Sequence, residues 1–299
     1  MELIVWDGLV VGTRWLLYIG AAAAIGGTAS LWLMQQQILL KPALMRYSLI
    51  ATLLAVSAAI LHFLVRVGEA YDEGLSGMFD PDMIGFMWES PLGEALFLRS
   101  IGLLMILGGL LFLALVRSGN REQRIELGLI EGLFVLAGMG LMALSFSEAG
   151  HAVEQPLLFQ SVLTIHVVLT AWWMGSLFPL WLACHHLEFS EAYSLLDRFG
   201  QLAVTAVLVL LAGGVYMSYQ LTGWSNLFTS DYGILLLVKV ALVGVILSLA
   251  ALHKLVLVPR LKHTQDAGVL KRSIFLEKII GASIFAITTV LTTLVGPVH

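Results

Sequence analysis

The sequence predicts an all-α, polytopic bundle of eight membrane-spanning helices with both termini on one side. Three observations predict it. Of 299 residues, 59% are hydrophobic and 12% charged, against about 25% charged in ordinary soluble domains. Apolar stretches of about 20 residues, the length a spanning helix needs, recur eight times along the chain. Basic and acidic residues then alternate from one loop to the next.

The composition excludes a soluble enzyme and a disordered chain. Mean hydropathy is +0.92, more apolar surface than one soluble core can bury. The net charge of −4 offers no basic field for nucleic acid. Cys184 is the one cysteine, so no internal disulfide and no CxxC metal site can form. Eight Trp suit a chain with two membrane–water interfaces to anchor. No loop is long enough for a soluble domain, and residues 1–299 read as a single transmembrane domain whose surroundings are the lipid bilayer.

The first span, roughly 9–35, begins with Arg14-Trp15 and ends at Gln35-Gln36-Gln37. It is too long for a signal-peptide h-region, and Arg14 follows acidic residues, so cleavage is not expected. The second, roughly 43–68, carries His62 and Arg66; an acidic loop of roughly 69–91 follows. The third, roughly 92–116, contains Glu94 and Arg99, and the fourth, roughly 125–147, contains Glu131 and several glycines. The fifth, roughly 157–182, holds His166; the sixth runs roughly 199–220. The seventh, roughly 232–256, holds Lys239 and His253, and the eighth, roughly 272–297, holds Glu277 and Lys278. Backbone groups in lipid must pair within their own segment, so all eight read as helices. The paired glycines Gly26-Gly27, Gly108-Gly109 and Gly213-Gly214, with Gly128, Gly132, Gly138 and Gly140, read as close helix packing.

Eleven of the sixteen Lys and Arg residues fall in the loops after spans one, three, five and seven, among them Lys41, Arg121, Arg198 and Arg260. The loops after spans two, four and six carry acids such as Glu69, Asp80, Glu148 and Asp231. Basic loops stay in the cytoplasm, so both termini are expected outside, in the periplasm.

Ionisable residues inside a span cost about 2.5–3.5 kcal/mol near the centre, so each calls for a reason. They divide by depth. On the outer side lie His62 and Arg66, Glu94 and Arg99, and His166, with Glu148 and His151 just beyond the fourth span. At 1.5 Å per residue, His62 lies about 9 Å and His166 about 14 Å below the outer ends of their spans. Met139, Met142 and Met217 join them, with Met78, Met83 and Met87 in the acidic loop. Imidazole and thioether donors together suit copper, Cu(I) above all. The candidate metal ligands are therefore His166, His151 and His62, supported by Met139 and Met142. A plainer reading stands beside this one: membrane histidines also serve as interhelical hydrogen-bond donors, and methionines fill cores. Arg66 and Arg99 are expected to pair with Glu69 and Glu94 or to snorkel outward. On the inner side, Lys239 needs a carboxylate, with Glu277 and Glu131 as candidates for a structural pair or an ion path. His185-His186 reads as polar loop chemistry. No GxSxG, P-loop, HExxH or dinucleotide fingerprint is present.

Ser147-Glu148-Ala149-Gly150-His151-Ala152 is a small-Gly-His-Ala turn that resembles one in the copper resistance protein D family of inner-membrane proteins. Ile165-His166 followed by Ala171-Trp172-Trp173-Met174-Gly175-Ser176-Leu177 is similar to its histidine helix, with Ser176 in place of the usual second glycine. Arg198 to Ala203, Asp231 to Leu236 with Lys239, and Glu277 with Leu291-Thr292 and Gly296-Pro297 are similar to its later helices. The likeness is best over roughly 140–299 and looser before it. It implies a multi-pass protein of the bacterial inner membrane that handles copper, beside a periplasmic copper-binding partner of the copper resistance protein C type. It places His151 and His166 on motif positions, and Lys239 and Glu277 on matching ones.

The expected function is copper binding at the periplasmic side with passage across the membrane, and no enzyme activity. Two alternatives remain open. One is a haem b redox protein with His62 and His166 as axial ligands, delivering electrons to periplasmic copper. The other is a docking or assembly factor for a periplasmic copper chaperone.

Overall fold

A computed structural model describes residues 2–71, 74–115, 121–148, 150–223, 226–264 and 266–296, without the side chains of 2–4, 121–127 and 151. The described residues form helices throughout: α1 Glu2–Leu33, α2 Lys41–Tyr71, α3 Pro81–Trp88, α4 Pro91–Leu115, α5 Arg121–Leu144, α6 Leu157–His186, α7 Phe189–Thr222, α8 Asp231–Leu252, α9 Val258–Thr264 and α10 Gly268–Val290. Seven segments are long and apolar enough to cross a membrane: α1, α2, α4, α6, α7, α8 continuing through α9, and α10 continuing to Val295. The expected fourth span corresponds to α5, whose apolar part, Gly128–Leu144, is shorter. α3, short and amphipathic, lies in the loop between the second and third spans; Asp80 caps it by accepting from the Met83 N–H, with Pro81 at its first turn.

The helices alternate in direction, and the start of α1 meets the end of α10: the Arg14 guanidinium donates to the Thr292 carbonyl at 3.2 Å. This face is called the terminal face below, and the other the loop face. α1 is central. It packs on α2, α6 and α10, while α4 joins α2 to α5 and α7 leans on α6. Half or more of the most apolar stretch of α1, α2 and α6 is buried, against 17% in α7 and 11% in the α8–α9 span, so those two stand at the rim.

Glycine sets the tightest contact. A Cβ on Gly26 would collide with the Gly175 backbone, and one on Gly175 with the Ala22 carbonyl, so α1 and α6 touch main chain to main chain. The serine at 176 does not loosen the motif. Its hydroxyl sits 3.3 Å from both the Ser30 hydroxyl and the Gly26 carbonyl, within the same contact. Gly102 and Gly138 bring α4 and α5 together in the same way, whereas Gly128, Gly132 and Gly140 meet open space.

Two helices end in π turns, His253–Leu257 and Leu291–Val295. Pro259 accounts for the first. It has no N–H for the carbonyl four residues back, and its ring crowds that carbonyl, so the chain widens just before it.

Candidate functional site

Near the terminal face, cations are held by neutral groups. On α1, the Arg14 Nε donates to the Tyr18 hydroxyl at 3.0 Å, and Tyr18 O–H meets the Thr292 hydroxyl at 3.4 Å. Tyr18 stands edge-on to Phe146, with ring centres 5.4 Å apart. Arg99 of α4 also meets Phe146, its guanidinium carbon 5.0 Å from the ring centre. Only 4% exposed, it donates through Nε to the Ser145 hydroxyl at 3.1 Å. Glu94 is exposed and five residues from Arg99, about 140° round the helix, so the expected pair does not form. Arg66 does pair with Glu69, one turn further along α2.

His62 is buried beside this group, its Nδ1 3.1 Å from the Thr13 hydroxyl of α1. Arg14, Arg66 and Arg99 all act on it electrostatically. His166 has different neighbours. It is on α6, facing Gly213 and Gly214 of α7; its Nδ1 is buried with no aligned hydrogen-bond partner among the described residues, and the Leu210 main chain of α7 lies near the ring. It lines an open groove of about 400 Å³ between α6 and α7, with Val162, Gly213 and Tyr216; His62 is not part of that lining. Lys239 of α8 is within electrostatic reach of both His166 and Tyr18.

The loop-face half holds a buried acid. Glu277 on α10 is 1% exposed, and its Oε2 lies 3.2 Å from Nδ1 of His253 at the π turn. The other ring nitrogen of His253 meets the Ser273 hydroxyl at 2.7 Å. The adjacent Lys278 points elsewhere, its ammonium 4.5 Å from the Trp181 ring centre and 5.5 Å from that of Phe178. Lys254 pairs with Asp197 of α7 at 2.8 Å.

These positions correct several expectations. Lys239 makes no ion pair with Glu277 or Glu131. Glu277 is engaged at His253, fourteen residues and about 21 Å further along the rod from Lys239, and Glu131 lies on α5 beside Gly109 of α4. His185-His186 closes α6 rather than lying in a loop, with His185 Nδ1 2.8 Å from the Trp181 carbonyl and its ring over that indole. Met78 packs with Trp6 and Val10, and Met83 and Met87 pack against the buried cluster that contains Phe63, Leu96 and Met142, so these side chains fill core. Met139 packs with Ile106, Leu110 and Val135, and Met142 accepts a weak contact from the Ser145 hydroxyl at 3.9 Å. The side chain of His151 lies outside the described residues. Among those described, no three His, Cys, Asp or Glu side chains come together as a metal cluster. Sequence reading missed the Arg14–Tyr18–Thr292 contact. The signal was present, since an arginine about 18 Å into a helix that starts at Glu2 needs partners inside the bundle.

Fold and site together define a polytopic membrane protein with polar groups buried at two depths. The family model described as copper resistance protein D-like, N-terminal domain, matches residues 5–156, and that described as copper resistance protein D matches 193–291. The chain belongs to the copper resistance protein D family. The N-terminal match covers the part where the sequence motifs are loosest. Inner membrane protein YebZ of Escherichia coli (strain K12) is 28% identical over 228 residues, 74% of each chain. No solved structure matches. The protein is a multi-pass, copper-resistance-related protein of the inner membrane.

Proposed function

We propose that this protein binds copper in the half of the bundle nearest its termini, that this face looks into the periplasm, and that the ion then crosses to the cytoplasm. The observation that carries the reading is His166: a buried imidazole whose Nδ1 makes no aligned hydrogen bond among the described residues, with only the Leu210 main chain of α7 near the ring, at a groove on the terminal side. Imidazole is a good copper ligand, and His151 precedes α6 on the same side. A bis-histidine haem needs both imidazoles in one cavity, and the groove at His166 does not include His62. A soluble periplasmic copper carrier of the copper resistance protein C type is the donor that fits an outward site.

The test is Cu(I) loading of the purified protein under reducing conditions, together with copper uptake into liposomes. His166→Ala is expected to remove about one equivalent of copper and most of the uptake, and no Soret band is expected. Unchanged binding in His166→Ala overturns the assignment, and a Soret band lost in His62→Ala replaces it with the haem reading. Reporter fusions at the two termini and near Arg121 test the orientation: the termini should report periplasm and the loop cytoplasm.

A further inference from the structure

A path across the membrane needs donors in the second half of the bundle as well as the first. Glu277 is nearly inaccessible, and neither of its carboxylate oxygens has a hydrogen-bond partner among the described residues. Lys278 is turned to the aromatic rings of Phe178, Trp181 and Phe275, and Lys254 is taken by Asp197. The one group left beside Glu277 is His253. Its Nδ1 lies 3.2 Å from Oε2, yet the contact lacks hydrogen-bond alignment, since Oε2 is unsatisfied in spite of it. Two atoms that each bind one ion at about 2.0–2.1 Å, at a tetrahedral angle, stand about 3.3 Å apart. The separation is that of two ligands of one metal. Ser273 fixes the ring through its other nitrogen, as metal-binding histidines are commonly fixed. The π turn that places His253 is a deformation often found at functional positions.

A soft donor lies one turn deeper. Gly281 follows Glu277 by four residues on the same face of α10, and the Met174 thioether of α6 sits 2.7 Å from where a Gly281 Cβ would be. Glycine at this position is what lets the sulfur reach the α10 backbone. Met174 is eight residues, about 12 Å, further along α6 than His166.

We propose that His253 and Glu277 form a second copper site in the loop-face half, with the Met174 thioether, one turn deeper, as its soft donor. The inference rests on the copper-transport reading above, and it supplies that reading with an inward step. Carboxylate offsets the charge of the ion at the depth where no other anion is buried among the described residues. Imidazole and thioether select copper over harder cations.

The experiment is Cu(I) titration of the protein in lipid nanodiscs under reducing conditions, against a chromophoric Cu(I) chelator, with X-ray absorption at the copper edge. The parent should bind about two equivalents, His166→Ala about one, and Glu277→Gln about one, the site at Glu277 weakening by about 100-fold. The doubly substituted protein should bind none. In the His166→Ala background, Met174→Leu, which keeps the volume, should remove the sulfur signal from the remaining copper. If Glu277→Gln binds as the parent does while His166→Ala loses its copper, the second site is wrong and the first stands. If Glu277→Gln loses copper and His166→Ala does not, the first is wrong and the second stands. If Glu277→Gln fails to fold, Met174→Leu decides: an unchanged sulfur signal overturns the proposal.

Discussion

In the half nearest the termini, Arg14 and Arg99 are buried against hydroxyls, carbonyls and ring faces, with no acid beside either of them among the described residues. In the other half Glu277 is buried against one imidazole, and the lysines around it are occupied elsewhere. Each half thus buries one sign of charge and leaves it short of its opposite. A buried charge without a counter-charge is costly in a bundle as it is in lipid. The termini half lowers that cost with many donors and acceptors. The loop-face half does it with one close pair.

The largest effect should come from joining or parting the halves. Gly175→Leu forces a side chain into the backbone contact between α1 and α6, which spans both. It should cost about 3 kcal/mol or more, seen as loss of monodisperse protein on thermal challenge. A mild variant would mean that α1 is not the central stem. Next, Ser145→Asp supplies the missing anion to Arg99. It should stabilise the protein by about 1.5–3 kcal/mol in a thermal melt, the worth of a charged hydrogen bond. No gain would show that the rings and carbonyls already compensate the guanidinium. Thr13→Val keeps the shape but leaves the His62 nitrogen without its hydroxyl, at an expected cost of about 1–2 kcal/mol. The smallest effect belongs to Arg66→Gln. It breaks a partly exposed pair with Glu69 worth about 0.2–1 kcal/mol, and added salt should shrink even that.

What the sequence made legible was whatever repeats or accumulates. Eight helices follow from composition and spacing, seven of them long and apolar enough to span among the described residues; of the glycines expected to pack, Gly26, Gly27, Gly109, Gly138 and Gly213 do so, whereas Gly128, Gly132 and Gly140 do not. The family was legible in the motifs around His166, Lys239 and Glu277. Rotation about each helix axis was not legible. His62 and His166 lie at similar depths, yet one faces α1 and the other α7. Depth failed where a helix was longer than the apolar run suggested. α7 begins ten residues before the expected span, and α8 runs on through its π turn to Thr264; Glu277 of α10 meets it at His253, about 21 Å along the rod from Lys239. The Pro259 that causes the π turn was visible, but its consequence for the pairing of His253 depends on α10, a partner that only the folded chain brings near.

The glycine contact between α1 and α6 carries one more consequence. Side chains can change rotamer and let two helices slide; a seam of main chain against main chain has no such freedom, because any shift drives Cα atoms into carbonyls. These two helices therefore behave as one beam set upright in the bilayer. α7 and α8 are left uncovered by the rest of the chain over most of their most apolar stretches, so in a bilayer a change in thickness or lateral pressure would reach those two first and tilt them against a beam that does not yield.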